Sequence, residues 1–149
     1  MNIRHLTGRF AIGMGAPDAA MIADIKAQGF SSVVSLRSVG EPNEIMAPEA
    51  EAQAVEREGM TWLHFPLSPP QVGEINVTDD LSRKLQDLPA PLLIHCASGA
   101  RAAGMVVAIC AVGENWGFET AMKKVAEAGI TLPPLLAPKL ADYVAAKRG

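Results

Sequence analysis

Short apolar blocks alternate along the chain with longer segments of helical pattern. Ser32-Val33-Val34-Ser35-Leu36 is β-branched and apolar, bounded by Gly29 and by a polar loop from Arg37 to Asn43, which predicts a buried strand. Pro91-Leu92-Leu93-Ile94-His95 is continuously apolar, as a central parallel strand should be. Phe10-Ala11-Ile12-Gly13 and Thr61-Trp62-Leu63-His64-Phe65 predict two more strands. Helical patterns run over residues 18–28 and 48–58, closed by Gly29 and Gly59, and over residues 79–88, with Thr78 as the N-cap. Three more follow the last strand, over residues 102–112, 118–128 and 134–147. Strand followed by helix, several times over, predicts a three-layer α/β domain with a mainly parallel central sheet flanked by helices.

Composition narrows the class. A chain of 149 residues suits one domain, here residues 1–149, and 49% apolar with 19% charged residues is the balance of a self-folding globular protein. A net charge of −3 with scattered basic residues argues against nucleic acid as a partner. The longest apolar run, residues 105–112, falls far short of the ~20 residues of a membrane span, so no membrane partner is expected. The first eight residues lead into no apolar signal core, and the expectation is a cytoplasmic protein. Cys96 and Cys110 are the two cysteines; the rise of a helix starting near Arg101 separates them by too much for a disulfide.

Cys96 ends the apolar strand and opens the loop Cys96-Ala97-Ser98-Gly99-Ala100-Arg101. In an open α/β sheet ligands gather beyond the carboxyl ends of the strands. A helix amino-terminus there offers unpaired N–H groups and partial positive charge, so amides from Ala97 to Arg101 could converge on an anion. The same field favours a thiolate on Cys96, which makes it a nucleophile. Gly99 permits tight curvature, and Arg101 supplies a two-pronged donor for an oxyanion. His95 is expected to orient the loop through its ring, and His64 to stand on the same rim. The histidines have no ligand spacing with Cys110, so no metal and no cofactor are expected.

The segment from His95 to Ala102, with Val33-Val34-Ser35-Leu36-Arg37 and Glu41 upstream, resembles the cysteine-phosphatase superfamily, and in particular the phosphatase-like domain of the beta-lactamase-hydrolase-like family. The resemblance implies a dual-specificity-phosphatase-like fold with Cys96 as nucleophile and Arg101 as oxyanion ligand. It also implies Arg37 as a second positive group near the cradle, an alternative to a surface ion pair with Glu41 or Glu44. Two features depart from the phosphatase pattern. Four residues separate Cys96 from Arg101 where five are usual, a spacing similar to that of rhodanese-type sulfurtransferases. The loop over residues 66–77 also carries no aspartate to protonate a leaving group, so Glu74 is the candidate general acid.

The expected partner is therefore an anionic phosphate- or sulfur-containing substrate. Three functions fit: a cysteine-dependent hydrolase of phosphate monoesters, a sulfurtransferase or persulfide carrier on the same loop, and a non-catalytic anion-binding module. The upstream Val34-Ser35-Leu36-Arg37 pattern ranks the hydrolase first.

Overall fold

Five strands form one sheet in a computed structural model that describes residues 1–42 and 44–148. Asn43, the last residue of the predicted polar loop, lies outside the described residues. The strands are β1 (Ile3–His5), β2 (Phe10–Gly13), β3 (Ser32–Ser35), β4 (Thr61–His64) and β5 (Leu92–His95). Their spatial order is β1-β2-β5-β3-β4, with β1 antiparallel to β2 and every other pairing parallel. Helix α1 (Ala19–Ala27) carries the chain from β2 to β3, and α2 (Pro48–Arg57) carries it outward to β4. Helix α3 (Ile75–Gln86) returns it to β5, which slots between β2 and β3.

That return makes β5 the centre of the sheet and explains its uninterrupted apolar sequence. His95 is in register with Gly13 on one side and Ser35 on the other. Three strands therefore end level, and Cys96 emerges at the carboxyl edge where the direction of chain progression reverses, the usual place for a ligand in an open α/β sheet.

The two faces bury different sets of side chains because strand residues alternate. Ala11, Val33 and Leu93 meet Ile22 and Ile25 of α1 and Val55 of α2. Ile12, Val34, Leu92 and Ile94 meet α3, α4 (Ala100–Gly113), α5 (Phe118–Glu127) and α6 (Ala137–Arg148). This is the predicted three-layer architecture. Helix α4 is buried along its length from Arg101 to Ala111, which accounts for its lack of a polar face. Met14, Trp116 and Phe118 pack, partly buried, against this larger core.

Three local expectations change. Helix α3 starts at Ile75, not at Asp79. Gly73, with φ of 85°, turns the chain, and Glu74 then takes the N-cap position without a side-chain capping bond. A backbone turn thus starts the helix one turn before the side-chain cap that Thr78 would have offered; Thr78 is buried inside it and directs its hydroxyl at Met105 Sδ, 3.7 Å away. Asp79 then serves α6: it accepts hydrogen bonds from Tyr143 Oη at 2.6 Å and Lys147 Nζ at 3.0 Å. Finally, β1 was not expected. It is a short edge strand that exists by folding back on β2.

Close packing is tightest where α4 passes the segment before α3. A Cβ on Gly104 would lie 2.5 Å from Val72 Cγ1 and 3.1 Å from Leu136 Cδ1. Alanine favours a helix over glycine by about 1 kcal/mol, whereas overpacking costs about 1–3 kcal/mol. Gly104→Ala is therefore expected to destabilise the domain by about 1 kcal/mol, measured by urea unfolding, with no change in secondary structure.

Candidate active site

The loop between β5 and α4 is built around one buried sulfur. Cys96 is 1% exposed. Its Sγ accepts hydrogen bonds from the backbone amides of Gly99, at 3.2 Å, and Ala102, at 3.4 Å. Gly99 makes this possible: it caps α4 in the left-handed region, with φ of 101°, which costs an L side chain strain. A Cβ there would also press on Met14, 3.0 Å from Sδ and 3.3 Å from its Cα. The turn after β2, Gly13-Met14-Gly15, is thus packed against the loop. Ala97 and Ser98 form its exposed crest, and Ala100 starts the helix half-buried. Both donors meet the sulfur at the amino-terminus of α4.

Arg101 sits in the first turn of a buried helix and is itself 8% exposed. A guanidinium in that place must be paired. Both oxygens of Glu41 meet it: Nη1 donates to Oε2 and Nη2 to Oε1, each at 2.7 Å. Nη1 also donates to the carbonyl of Leu67 at 3.0 Å. The hydrogen bond from Arg101 is the main reason the Glu41 carboxyl is held down to about 2. In return, Glu41 raises Arg101 further above its ordinary value, with a smaller contribution from Cys96. Glu41 also accepts from the backbone amide of Ser38.

Arg37 follows β3 and is buried; its Nε lies 3.7 Å from Glu41 Oε1 and has no hydrogen-bond partner among the described residues. The ion pair with Glu41 that the sequence offered as one alternative is present, but Glu41 belongs mainly to Arg101. The structure thus brings Arg37, Glu41 and Arg101 together beside the loop. His64 Nε2 lies 2.6 Å from the carbonyl of Arg37, which ties β4 to the same edge.

His95 points into the opposite layer, with its Nδ1 3.4 Å from the carbonyl oxygen of Cys96 at the start of the loop. Its Nε2 lies 2.7 Å from Glu51 Oε2, and Trp62 Nε1 donates to the same oxygen at 2.9 Å. Glu51 is 3% exposed. Sequence reading passed it over, although its position one turn before the buried Val55 places a carboxylate on the inward stripe of α2, which is a signal in itself.

Glu74 stands apart. It is exposed and shares a shallow depression with Gly73, Lys139 and Asp142. The cleft that reaches the loop, about 320 Å³, is lined by Pro69, Val72, Pro133, Leu135 and Leu136 together with Ser98, Ala100 and Arg101. Glu74 does not line it. Cys110 is buried inside α4 and its thiol is pushed up to about 12 by desolvation, so of the two free cysteines it is the inert one. Among the described residues no helix is long and apolar enough to cross a membrane.

A mainly parallel α/β sheet whose central strand runs into a cysteine-headed, arginine-ended loop at a helix amino-terminus defines the cysteine-phosphatase class of domain. Residues 2–113 match the phosphatase-like domain of beta-lactamase hydrolase-like proteins, and the chain belongs to that family. The beta-lactamase hydrolase-like protein of Agrobacterium fabrum is 29% identical over 93 residues, covering 62% of this chain and 21% of that protein. That of Xylella fastidiosa strain Temecula1 is 28% identical over 102 residues, covering 68% of this chain and 23% of that protein. The chain thus spans under a quarter of the length of these relatives.

Solved structures of phosphatases share the fold. A putative phosphatase from Neisseria meningitidis superposes with a TM-score of 0.79 at 18% identity, covering 96% of this chain and 99% of that one. Tk-PTP in its active form gives 0.76 at 17% identity, covering 97% and 96%. TpbA of P. aeruginosa, solved in complex with pTyr, gives 0.73 at 15% identity, covering 99% and 91%.

Two measurements probe this geometry. Because the folded-state value of Glu41 is depressed, its pairing contributes stability above the ordinary carboxylate value of 4.5 and loses it as pH falls toward about 2. Acid unfolding of Glu41→Gln is expected to have a shallower pH dependence in that window, with the wild type more stable by about 2 kcal/mol at neutral pH. Gly99→Ala is expected to lower the rate of Cys96 alkylation by iodoacetamide at least about tenfold, as a Cβ at positive φ displaces the amide that faces Sγ.

Proposed function

We propose that this domain is a cysteine-dependent hydrolase of phosphate monoesters. The observation that carries the reading is the buried Cys96 sulfur under two convergent amides at the start of α4, with Arg101 fixed one turn away. The Cys96 thiolate attacks phosphorus, the ester P–O bond breaks, and the organic group leaves with its electron pair. Water then hydrolyses the cysteinyl-phosphate to inorganic phosphate and restores the thiol. Amides from Ala97 to Ala102 and the Arg101 guanidinium stabilise the equatorial oxygens, and Arg37 adds positive potential at the rim. The apolar walls of the adjoining cleft suit an apolar organic group better than a sugar or nucleotide. Since Glu74 does not line that cleft, the leaving groups best served are those that depart as weakly basic anions. Two free, buried cysteines suit a reducing compartment, and we assign the protein to the cytoplasm.

The four-residue spacing favours a second reading, sulfur transfer. There the thiolate takes the outer sulfur of thiosulfate, sulfite leaves, and the resulting persulfide passes its sulfur to a thiophilic acceptor without any general acid.

The two chemistries separate in one experiment. Purified protein is incubated with p-nitrophenyl phosphate and, separately, with thiosulfate plus cyanide. The expected result is p-nitrophenolate release that falls at least ~10³-fold in Cys96→Ser and roughly 10²–10³-fold in Arg101→Ala. Cys96-dependent thiocyanate without p-nitrophenolate would establish sulfur transfer instead. Neither product above the Cys96→Ser background would leave the anion-binding module.

A further inference from the structure

The cleft beside the cysteine loop is walled by aliphatic side chains on two tied segments. Pro69 and Val72 come from the connection between β4 and α3, and Pro133, Leu135 and Leu136 from the turn before α6. Leu136 packs on α4, where a Cβ on Gly104 would come within 3.1 Å of its Cδ1. Its amide donates to the Pro133 carbonyl at 2.9 Å and closes a turn of two consecutive prolines, each of which fixes φ. Lys139 Nζ donates to the Pro70 carbonyl at 3.1 Å and ties one wall to the other. The cleft is thus formed before anything enters it, and Leu135 stands at it 86% exposed.

Other exposed apolar groups share that edge. Among the described residues the exposed large apolar side chains are Val39, Ile45, Ile75 and Leu135. Val39 and Ile45 lie on the connection that brings Glu41 to Arg101, and Ile75 follows Val72 by three positions. An apolar side chain exposed singly needs no explanation, but four confined to the segments around one loop mark where an apolar group arrives. About 150 Å³ of apolar cavity holds a benzene ring. This cleft, at about 320 Å³, has room for roughly twice that.

The same lining limits how the organic group leaves. The polar side chains on it are Ser98 and Arg101. Arginine keeps its proton, and a serine hydroxyl is no stronger an acid than the alcohol it would have to form. Pairing with Arg101 holds the Glu41 carboxyl down to about 2, so it is ionised at neutral pH. His64 turns its Nε2 to the carbonyl of Arg37, and Glu74 stands in the other depression with Lys139 and Asp142. A departing alkoxide therefore finds no proton donor, whereas a carboxylate, whose acid has a pKa of about 4 against about 10 for a phenol, needs none. We propose that the substrate is an acyl phosphate with a long hydrocarbon chain, its phosphoryl group on Cys96 and Arg101 and its chain in the cleft against Leu135 and Leu136. The Cys96 sulfur attacks phosphorus, the bond from phosphorus to the acyl oxygen breaks, and the carboxylate leaves with the electron pair. Water then releases inorganic phosphate from the cysteinyl-phosphate.

The inference rests on phosphoryl transfer to Cys96, and substrates graded in chain and leaving group test it separately from that reading. Release of inorganic phosphate from acetyl phosphate, octanoyl phosphate, octyl phosphate and 4-butylphenyl phosphate is measured below micellar concentrations, with Cys96→Ser as the background. Each half-buried methylene contributes about twofold, so octanoyl phosphate is expected to exceed acetyl phosphate in kcat/KM by roughly 50-fold. Octyl phosphate, which needs a proton donor, is expected at least ~10²-fold below octanoyl phosphate, with 4-butylphenyl phosphate between them. Leu135→Ser, a change at an exposed position, is expected to lower the octanoyl to acetyl ratio at least about threefold, chiefly through KM. Equal values for the two acyl phosphates would overturn the inference, as would octyl or 4-butylphenyl phosphate matching octanoyl phosphate, or an unchanged ratio in Leu135→Ser. In each of those cases turnover of p-nitrophenyl phosphate leaves the phosphatase reading intact. No phosphate above the Cys96→Ser background from any of these substrates, p-nitrophenyl phosphate included, overturns both.

Discussion

The burial of α4 on every side is the constraint from which the site follows. A helix with no wet face cannot rotate or slide without opening the core, so its amino-terminus is fixed relative to the end of β5. The same burial puts Arg101 where a bare guanidinium is intolerable, and this obliges the β3–α2 connection to deliver Glu41. A carboxylate so placed is bound to its partner by charge and by two parallel hydrogen bonds, a geometry only arginine provides. Lysine at position 101 would keep the charge and lose the fork.

Much of the architecture was legible because strand and helix here obey their own patterns. The apolar run of β5 announced a central strand, and Cys96 at its end marked the candidate site. The helix starts were harder to read. Thr78 looked like a cap because its side chain is suited to one, but Gly73 and Glu74 turn the backbone earlier and the helix needs no side chain to begin. Glu74 became a candidate acid on the same misreading: a residue in the middle of a loop has freedom to reach the sulfur, whereas one fixed at the N-cap of α3 faces Lys139 and Asp142.

The two carboxylates that matter most at the site were the least visible. Glu41 was noticed as part of the pattern after Arg37 and as a local partner for it, four positions along the chain; its main partner is 60 positions away in the chain, and no local pattern encodes that. Glu51 sits in a helix rich in Ala and Glu, where one acidic residue looks like the next. Only its phase relative to Val55 distinguishes it, and its partners come from β4 and β5. Contacts of this kind are set by topology, by which strand lies beside which, and topology emerges from the sheet as a whole.

Glu41 and Glu51 approach the loop from opposite layers, one pairing with the cation at its end and the other with the ring before its start. The sulfur between them is met by the amides of Gly99 and Ala102, while the loop itself is short and offers only Ala97, Ser98 and Ala100 as further side chains. A loop with so few functional groups of its own can change in size at little cost to its surroundings, because the ion pairs and hydrogen bonds beside Cys96 are supplied by α2, α4 and the segment after β3. This explains how one scaffold presents phosphatase-like surroundings together with a ring one residue shorter than the phosphatase pattern. The surroundings fix the place of Cys96, and the size of the ring sets the room above it.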